Sequence, residues 1–463
     1  MTHWLQEKIT GFFTNGHERT ILTKKNIVAS FGIKGITILI SLILIPLTIN
    51  YVNTERNGIW LTLYSMVVWL NLFDIGFGNG MRNKLTEAKA EGKTELAKQY
   101  ISSTYAIVGI ICIIIFIGFC FINPHLDWIR ILGSSEGLYP YRQEISGMVW
   151  IFITSFCCMF VLNLLKSIVA ADQRPAIASF LDMLGQILTL ISIFILYKTT
   201  SPSLIYLGWV TGFAPVLVYI IATWFLFQTR YKDWKPSFRY VNFRLAGTML
   251  NLGIKFFITT VASFIVTQTL PILIARRTGL VEVTNYNTAL RLFSLAFNII
   301  GIIIIPYWSA FTDAYTQQDF AWMKRSMKQL HKLFIYLLII QTIIFAVSPF
   351  LYYIAVNYWI SNTENILNIP YLMSFSVAVY ICSLCWLNIN IYPLNGIGKV
   401  QLQVYSSVLE VVLLVPVALL MGHYLGTSGI ILTPIIVCLP RIIWAPIQLN
   451  KIMNQTAKGI WNQ

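Results

Sequence analysis

Apolar residues run through this chain in long unbroken blocks, and short polar breaks between them carry most of the charge. Roughly twelve such blocks of about 20–25 residues can be marked, each long enough for a helix to cross a hydrocarbon core of about 30 Å. They predict spans at 27–50, 59–77, 100–122, 145–169, 177–198, 204–227, 248–275, 285–311, 333–354, 370–394, 403–424 and 430–449. The blocks are continuous rather than alternating, which excludes a barrel. Peptide groups in lipid must bond within their own segment, so the spans are helices. The expected class is an all-α polytopic membrane protein.

Composition agrees with that pattern. Of 463 residues, 57% are hydrophobic and only 11% charged, whereas a soluble chain of this length needs far more polar surface. The first 26 residues are polar and show no signal-peptide pattern. Within them Trp4, Leu5, Ile9, Phe12 and Phe13 recur at helical spacing beside Lys8. That spacing suggests a short helix lying on the membrane surface, with a frayed tail as the alternative. All seven cysteines fall inside apolar runs. Cys382 and Cys385 have CxxC spacing, but with no second pair or histidine beside them they read as packing residues, not as metal or redox groups. No metal and no cofactor is expected.

The basic residues set the topology. With the N-terminus placed in the cytoplasm, 22 of the 33 Lys and Arg fall in inside segments, six outside and five within spans. The inside excess puts both termini in the cytoplasm. It also accounts for most of the net charge of +15, which faces anionic lipid headgroups rather than nucleic acid. The longest outside loop, 123–144, has about 22 residues, too short for an external catalytic domain.

The two halves resemble each other. Gly32-Ile33-Lys34 opens the first span and Gly253-Ile254-Lys255 the seventh, at an offset of 221 in the numbering. Asn163 to Arg174 mirrors Asn388 to Lys399 at an offset of 225. An even number of spans separates equivalent helices, so this is a parallel repeat about an axis along the membrane normal. The expected organisation is a surface segment 1–26, a six-helix bundle 27–227, a basic cytoplasmic linker 228–247, a second six-helix bundle 248–449 and a tail 450–463. Two six-helix bundles of this kind enclose a central cavity.

Ionisable residues inside a membrane are costly and mark function or internal pairing. The basic set is Lys34, Lys166, Lys255, Arg291 and Arg441, and the acidic set is Asp74, Asp182 and Glu410. Lys166, near a cytoplasmic helix end, reads as snorkelling or salt-bridged. Arg441 is expected to pair with Glu410 on the preceding helix. A buried acid has a raised proton affinity and can carry a proton. The competing reading, a plain counter-ion, is weighted above it. Asp74 adjoins Gly76, Gly78 and Gly80, so it also reads as the end of a helix at a flexible hinge. Trp60, Trp69, Trp308 and Trp386 are candidates to stack on sugar rings, with belt or packing roles as the alternative.

The run Leu72-Phe73-Asp74-Ile75-Gly76-Phe77-Gly78-Asn79-Gly80-Met81-Arg82-Asn83-Lys84-Leu85 resembles the second-helix end of Wzx-type polysaccharide flippases. These belong to the multidrug/oligosaccharidyl-lipid/polysaccharide (MOP) exporter superfamily. The basic loop at 312–332 and the Gly398-Lys399-Val400-Gln401 run fit that family, as do the twelve spans in a six-plus-six division. Asp74, Gly76, Gly78 and Arg82 form the family-like motif, and the resemblance assigns no residue a proven role. It implies a MATE-like fold in the bacterial inner membrane. It further implies movement of an undecaprenyl-pyrophosphate-linked oligosaccharide from the cytoplasmic to the periplasmic leaflet by alternating access, for O-antigen or other surface polysaccharide synthesis. A glycosyltransferase upstream and a polymerase downstream follow as partners from that pathway.

A flippase for such a substrate gives the anionic head a wet, cationic path while the tail stays in lipid. Lysine meets a phosphate as a point charge and arginine as a fork. Lys34 and Lys255, about two turns in from the cytoplasmic end, are the expected first station, and Arg291, nearer the outside, a later one. A drug or cation antiporter of the same superfamily is the alternative. Five basic against three acidic residues in the membrane interior weigh against a cationic cargo. A membrane polymerase or acyltransferase is disfavoured by the short outside loops and by the lack of a His-Asp or Ser-His constellation.

Overall fold

A computed structural model of the chain describes residues 18–70, 74–129, 136–359 and 369–462. The expected surface helix at residues 4–13 lies outside the described residues. Those described form helices and no strand. In chain order they are α1 (Glu18–Leu70), α2 (Asp74–Ala90), α3 (Thr94–Ile122), α4 (Arg142–Leu162), α5 (Leu164–Ala171), α6 (Pro175–Thr199), α7 (Leu204–Gln228), α8 (Phe243–Thr278), α9 (Leu280–Thr316), α10 (Phe320–Trp359), α11 (Tyr371–Ile397) and α12 (Gln401–Met453). Among the described residues ten segments are long and apolar enough to cross a membrane.

Two helices, α1 and α12, hold more than one crossing's length, at 53 residues each. With a rise of about 1.5 Å per residue, such a helix extends about 80 Å, against a core of about 30 Å. In α12 the break is at Gly426, whose φ of 58° and ψ of −140° are non-helical and open almost solely to glycine. It separates the expected spans 403–424 and 430–449. The expected second span starts within α1 and continues into α2 through residues 71–73, which lie outside the described set.

The chain divides into two compact units, residues 1–254 and 255–463. In the first, α2 packs on α3 and α5, and α4 on α7. Their apolar faces meet around Met81, Leu85, Ile101, Phe160, Leu165 and Tyr219. In the second, α11 packs on α9 and α12, with Leu387, Leu414 and Val437 in its core. In each unit the fourth expected crossing, residues 139–171 or 371–397, is about half buried, at 50% and 56%, while the other crossings are at most 28% buried. It is the central post of its bundle.

The internal repeat is visible in the hydrogen bonds that end the helices. Three turns in the first unit are closed by an amide reaching back five residues: Lys93 to Ala88, Arg174 to Val169 and Tyr231 to Leu226. Three in the second unit do the same: Asp319 to Ala314, Lys399 to Leu394 and Thr456 to Lys451. In the numbering, the paired amides are offset by 226, 225 and 225. The residue before the amide is left-handed at Gly92, Gln173, Gln318, Gly398 and Gln455, as such helix-ending motifs require. A side-chain tie repeats as well. Thr86 Oγ1 donates to the Ala171 carbonyl at 3.3 Å and Thr312 Oγ1 to Gly396 at 2.7 Å.

Prolines inside helices extend the same register. Pro46 pairs with Pro271, and Pro215 with Pro440, both at an offset of 225. At that offset Lys34 aligns with Thr259, not with Lys255. In the repeat register Lys255 therefore stands four residues, about one helical turn, before the position equivalent to Lys34, a refinement of the register given by the Gly-Ile-Lys match.

The tie at Gly396 demands a bare backbone, since a Cβ there would collide with the Trp308 carbonyl of α9. Gly396→Ala is expected to destabilise the protein by ~1–3 kcal/mol through overpacking. Thermal unfolding of the purified protein in detergent reads the shift.

Candidate functional site

The intramembrane charges fall into paired and unpaired groups. Lys166 Nζ lies 2.9 Å from Asp182 Oδ1, and the same oxygen accepts the Tyr219 hydroxyl at 2.8 Å. The Lys166 ammonium also sits 5.2 Å from the centre of the Tyr219 ring. Asp182 is thus the counter-ion of Lys166, tying α5, α6 and α7 together. Glu410 and Arg441 form a buried ion pair across the two arms of α12, as the sequence suggested. Arg441 reaches Ser407 Oγ at 3.4 Å and Cys438 Sγ at 3.7 Å, which spends further donors of the guanidinium.

Lys34, Lys255 and Arg291 behave differently. Lys34 is exposed on α1, Lys255 half-buried on α8 and Arg291 exposed on α9. None of the three makes an ion pair among the described residues. Lys34 and Lys255 belong to separate units. The cations expected to be structural have partners, and the cations expected to meet substrate have none.

The glycine motif lies in the first turns of α2. Asp74 opens α2, and Gly76, Gly78 and Gly80 continue it; the Asp74 carboxylate lies outside the described side chains. Gly78 presses α2 against α5, where a Cβ would come 2.6 Å from Ser167 Oγ. Small residues let membrane helices approach closely, and Gly78 serves that packing. Arg82 is buried one turn before Thr86, whose hydroxyl donates to the Arg82 carbonyl.

The tryptophans are mainly packing residues. Trp308 is buried between the rings of Phe256 and Tyr392. Trp386 stacks on His331 at 5.2 Å and donates to the Ile442 carbonyl at 3.3 Å. Trp60 packs into an apolar cluster with Leu63 and Phe152. The Trp69 side chain lies outside the described set.

Each end of the first unit has its own polar lock. At one end Glu144 takes Arg56 at 2.9 Å and the Leu204 amide at 2.9 Å, while the Tyr51 hydroxyl meets Thr200 Oγ1 at 3.0 Å. At the other, the buried Asp172 gathers Lys89 at 2.5 Å, Arg230 at 2.8 Å and Arg174 at 3.5 Å. It also accepts the Tyr231 hydroxyl at 3.2 Å. Burial, then the Asp172 charge, pushes the Tyr231 phenol well above its ordinary range, so it stays a donor. Asp172 was missed by sequence reasoning. A topology count weighs only Lys and Arg, and the signal available was a lone acid in Ala171-Asp172-Gln173-Arg174-Pro175, among strongly basic loops.

An all-α bundle with ten candidate crossings among the described residues, its intramembrane acids with described side chains held by basic partners, defines a multi-pass membrane protein. Its fold matches solved transporters closely. A MATE transporter in its straight conformation gives a TM-score of 0.73 at 16% identity, covering 96% of this chain and 98% of that one. A Vibrio cholerae MATE transporter in its bent form gives 0.71 at 15% identity, covering 96% and 100%. A MOP superfamily transporter from Pyrococcus furiosus gives 0.67 at 15% identity, covering 95% and 99%. The chain belongs to the family described as "Polysaccharide biosynthesis protein", whose model matches residues 23–311. Two curated relatives are each named "Putative O-antigen transporter". The Salmonella typhi protein is 23% identical over 379 residues, 78% of this chain and 81% of its own length. The Salmonella typhimurium protein is 22% identical over 437 residues, 91% and 92%.

Removing one member of a buried ion pair strands the other. Arg441→Met is expected to cost about 3–5 kcal/mol, while Arg441→Met combined with Glu410→Met returns close to the parent stability. Unfolding of the single and double variants in detergent tests the pairing; equal losses in both would refute it.

Proposed function

We propose that this transporter flips an undecaprenyl-pyrophosphate-linked oligosaccharide from the cytoplasmic to the periplasmic leaflet of the bacterial inner membrane, by alternating access, for surface polysaccharide synthesis. Both termini lie in the cytoplasm in this reading, and the two units correspond to the two six-helix bundles. A glycosyltransferase supplies the substrate and a polymerase consumes the product. The names of the curated relatives and of the family support the substrate class.

The observation that carries the proposal is the division of charge. Both intramembrane acids with described side chains, Asp182 and Glu410, are neutralised by a basic partner. Lys34, Lys255 and Arg291 are left with no ion pair among the described residues. A cation in or near hydrocarbon is costly unless something compensates it, and a diphosphate passing by does so transiently. Lys34 and Lys255, one turn apart in register, offer a cation in each unit to the diphosphate head. A cationic cargo meets only repulsion from these groups. Asp182 and Glu410 act as counter-ions, which leaves them no part in proton coupling.

The test uses protein in proteoliposomes carrying a labelled undecaprenyl-pyrophosphate oligosaccharide in the outer leaflet. Protein-dependent protection of the sugar from an external modifying reagent, without ethidium uptake, is the expected result. Lys34→Ala with Lys255→Ala is expected to cut the rate at least about tenfold, given that charge-assisted contacts contribute roughly 1.5–3 kcal/mol each. Lysine-to-arginine swaps are expected to retain partial activity. Ethidium uptake without sugar protection would establish the antiporter alternative, and full activity in the double variant would remove the cationic path.

A further inference from the structure

The cluster around Asp172 holds more positive charge than the fold requires. One carboxylate, 6% exposed, stands against Lys89, Arg174 and Arg230, whose side chains are 42%, 41% and 39% exposed. The group carries a net charge of two positive units. Many of its donors are also unspent. Arg230 uses Nε and Nη2 on a single oxygen of Asp172, leaving Nη1. Arg174 touches the carboxylate only through Nε at 3.5 Å, so among the described residues its terminal nitrogens have no partner. Lys89 spends one N–H of three.

The second unit acts as an internal control. It keeps the three back-reaching helix ends and the threonine tie to the fourth crossing. At the repeat positions of Lys89, Asp172, Arg174 and Arg230 it has Tyr315, Ile397, Lys399 and Gln455. Closing the turns of this fold therefore does not need the acid or the three-cation array. The array is an addition made in one half only. It sits where α2, α5 and α7 end, at the boundary of the crossings, beside the stacked pair Tyr231 and Trp234. Two guanidinium forks and an ammonium held around one carboxylate, each side chain about two-fifths exposed, are the donors that suit the oxygens of a phosphate group.

We propose that Lys89, Arg174 and Arg230, positioned by Asp172, form a binding site for a phosphate-bearing anion at the membrane face of the first unit. The ligand is either the diphosphate of an isoprenoid carrier or the headgroup of an anionic phospholipid. The first of these rests on the flippase reading, in which this end of the unit faces the cytoplasm and is where substrate is collected. Asp172 is a positioning residue. It holds three like charges within reach of one another, which they would not hold unaided.

The full-length protein is titrated with inorganic pyrophosphate in neutral detergent by calorimetry. In parallel it is incubated in mixed micelles containing phosphatidylglycerol, and bound lipid is counted by native mass spectrometry. Saturable pyrophosphate binding assigns a diphosphate ligand; phosphatidylglycerol retention without it assigns a headgroup. For whichever probe binds, Arg230→Gln and Arg174→Gln are each expected to weaken affinity about tenfold, the worth of one charge-assisted contact. Lys328→Gln, an exposed cation on α10 in the other unit, is expected to change nothing. Arg174→Gln removes only the long contact, so it reports on the site even where Arg230→Gln fails to fold. Equal loss in Lys328→Gln would reduce the effect to general surface charge and overturn the site, as would failure of both probes to bind. These readouts do not involve transport, so a protein that binds the anion but moves no lipid refutes the flippase reading alone.

Discussion

Hydrocarbon offers no partner to a peptide group or a charge, and every feature of this molecule follows from that refusal. It forces the backbone into helices whose amides and carbonyls bond within the segment. It also sorts the few ionisable side chains the spans retain. Lys166 has Asp182 and Tyr219, and Arg441 has Glu410, Ser407 and Cys438. Each pair adds a polar tie to helix contacts that are largely apolar, and apolar contact in lipid has no solvent-driven advantage. Against that background an unpaired lysine or arginine at membrane depth is conspicuous, because its compensation must come from outside the fold.

The repeat shows how such a fold is varied. Helix ends, internal prolines and a threonine tie recur at an offset of 225 or 226, so the covalent and hydrogen-bonded frame is common to both halves. Charge is not. The first half joins its connections around Asp172. The second half uses a docked tail. There Lys399 Nζ donates to the Asn462 carbonyl at 2.7 Å, and Gln448 bridges to Trp461 at 3.2 Å. A duplicated frame can hold its shape while one copy takes on electrostatic tasks.

How much of this was legible in the sequence depends on the range of the interaction. Spans are local properties of windows about 20 residues long, and hydropathy located them. Arg441 and Glu410 lie on consecutive crossings, close enough in sequence for the pairing to be inferred. The repeat was visible, but the Gly-Ile-Lys match gave the first helices a register about one turn short of the one carried by Pro46 and Pro271. The glycine run of the family-like motif gave no partner for its close approach, and the fold supplies Ser167 against Gly78. Around Asp172 a local window shows only the acid and Arg174. The acid's other partners come from connections 58 and 83 residues away, and only the fold brings them to one carboxylate.

The two locks also differ in when they can close. Every residue that contacts Asp172, and the separate Ser103–Asn242 contact, precedes position 243. The first unit can thus be fastened while the ribosome is still making the second, in keeping with domains that fold in order of synthesis. The second unit has no such early clasp among its described residues. Its Lys399 and Gln448 wait for Trp461 and Asn462. Order of synthesis thus makes the contacts around Asp172 available before those of the C-terminal tail.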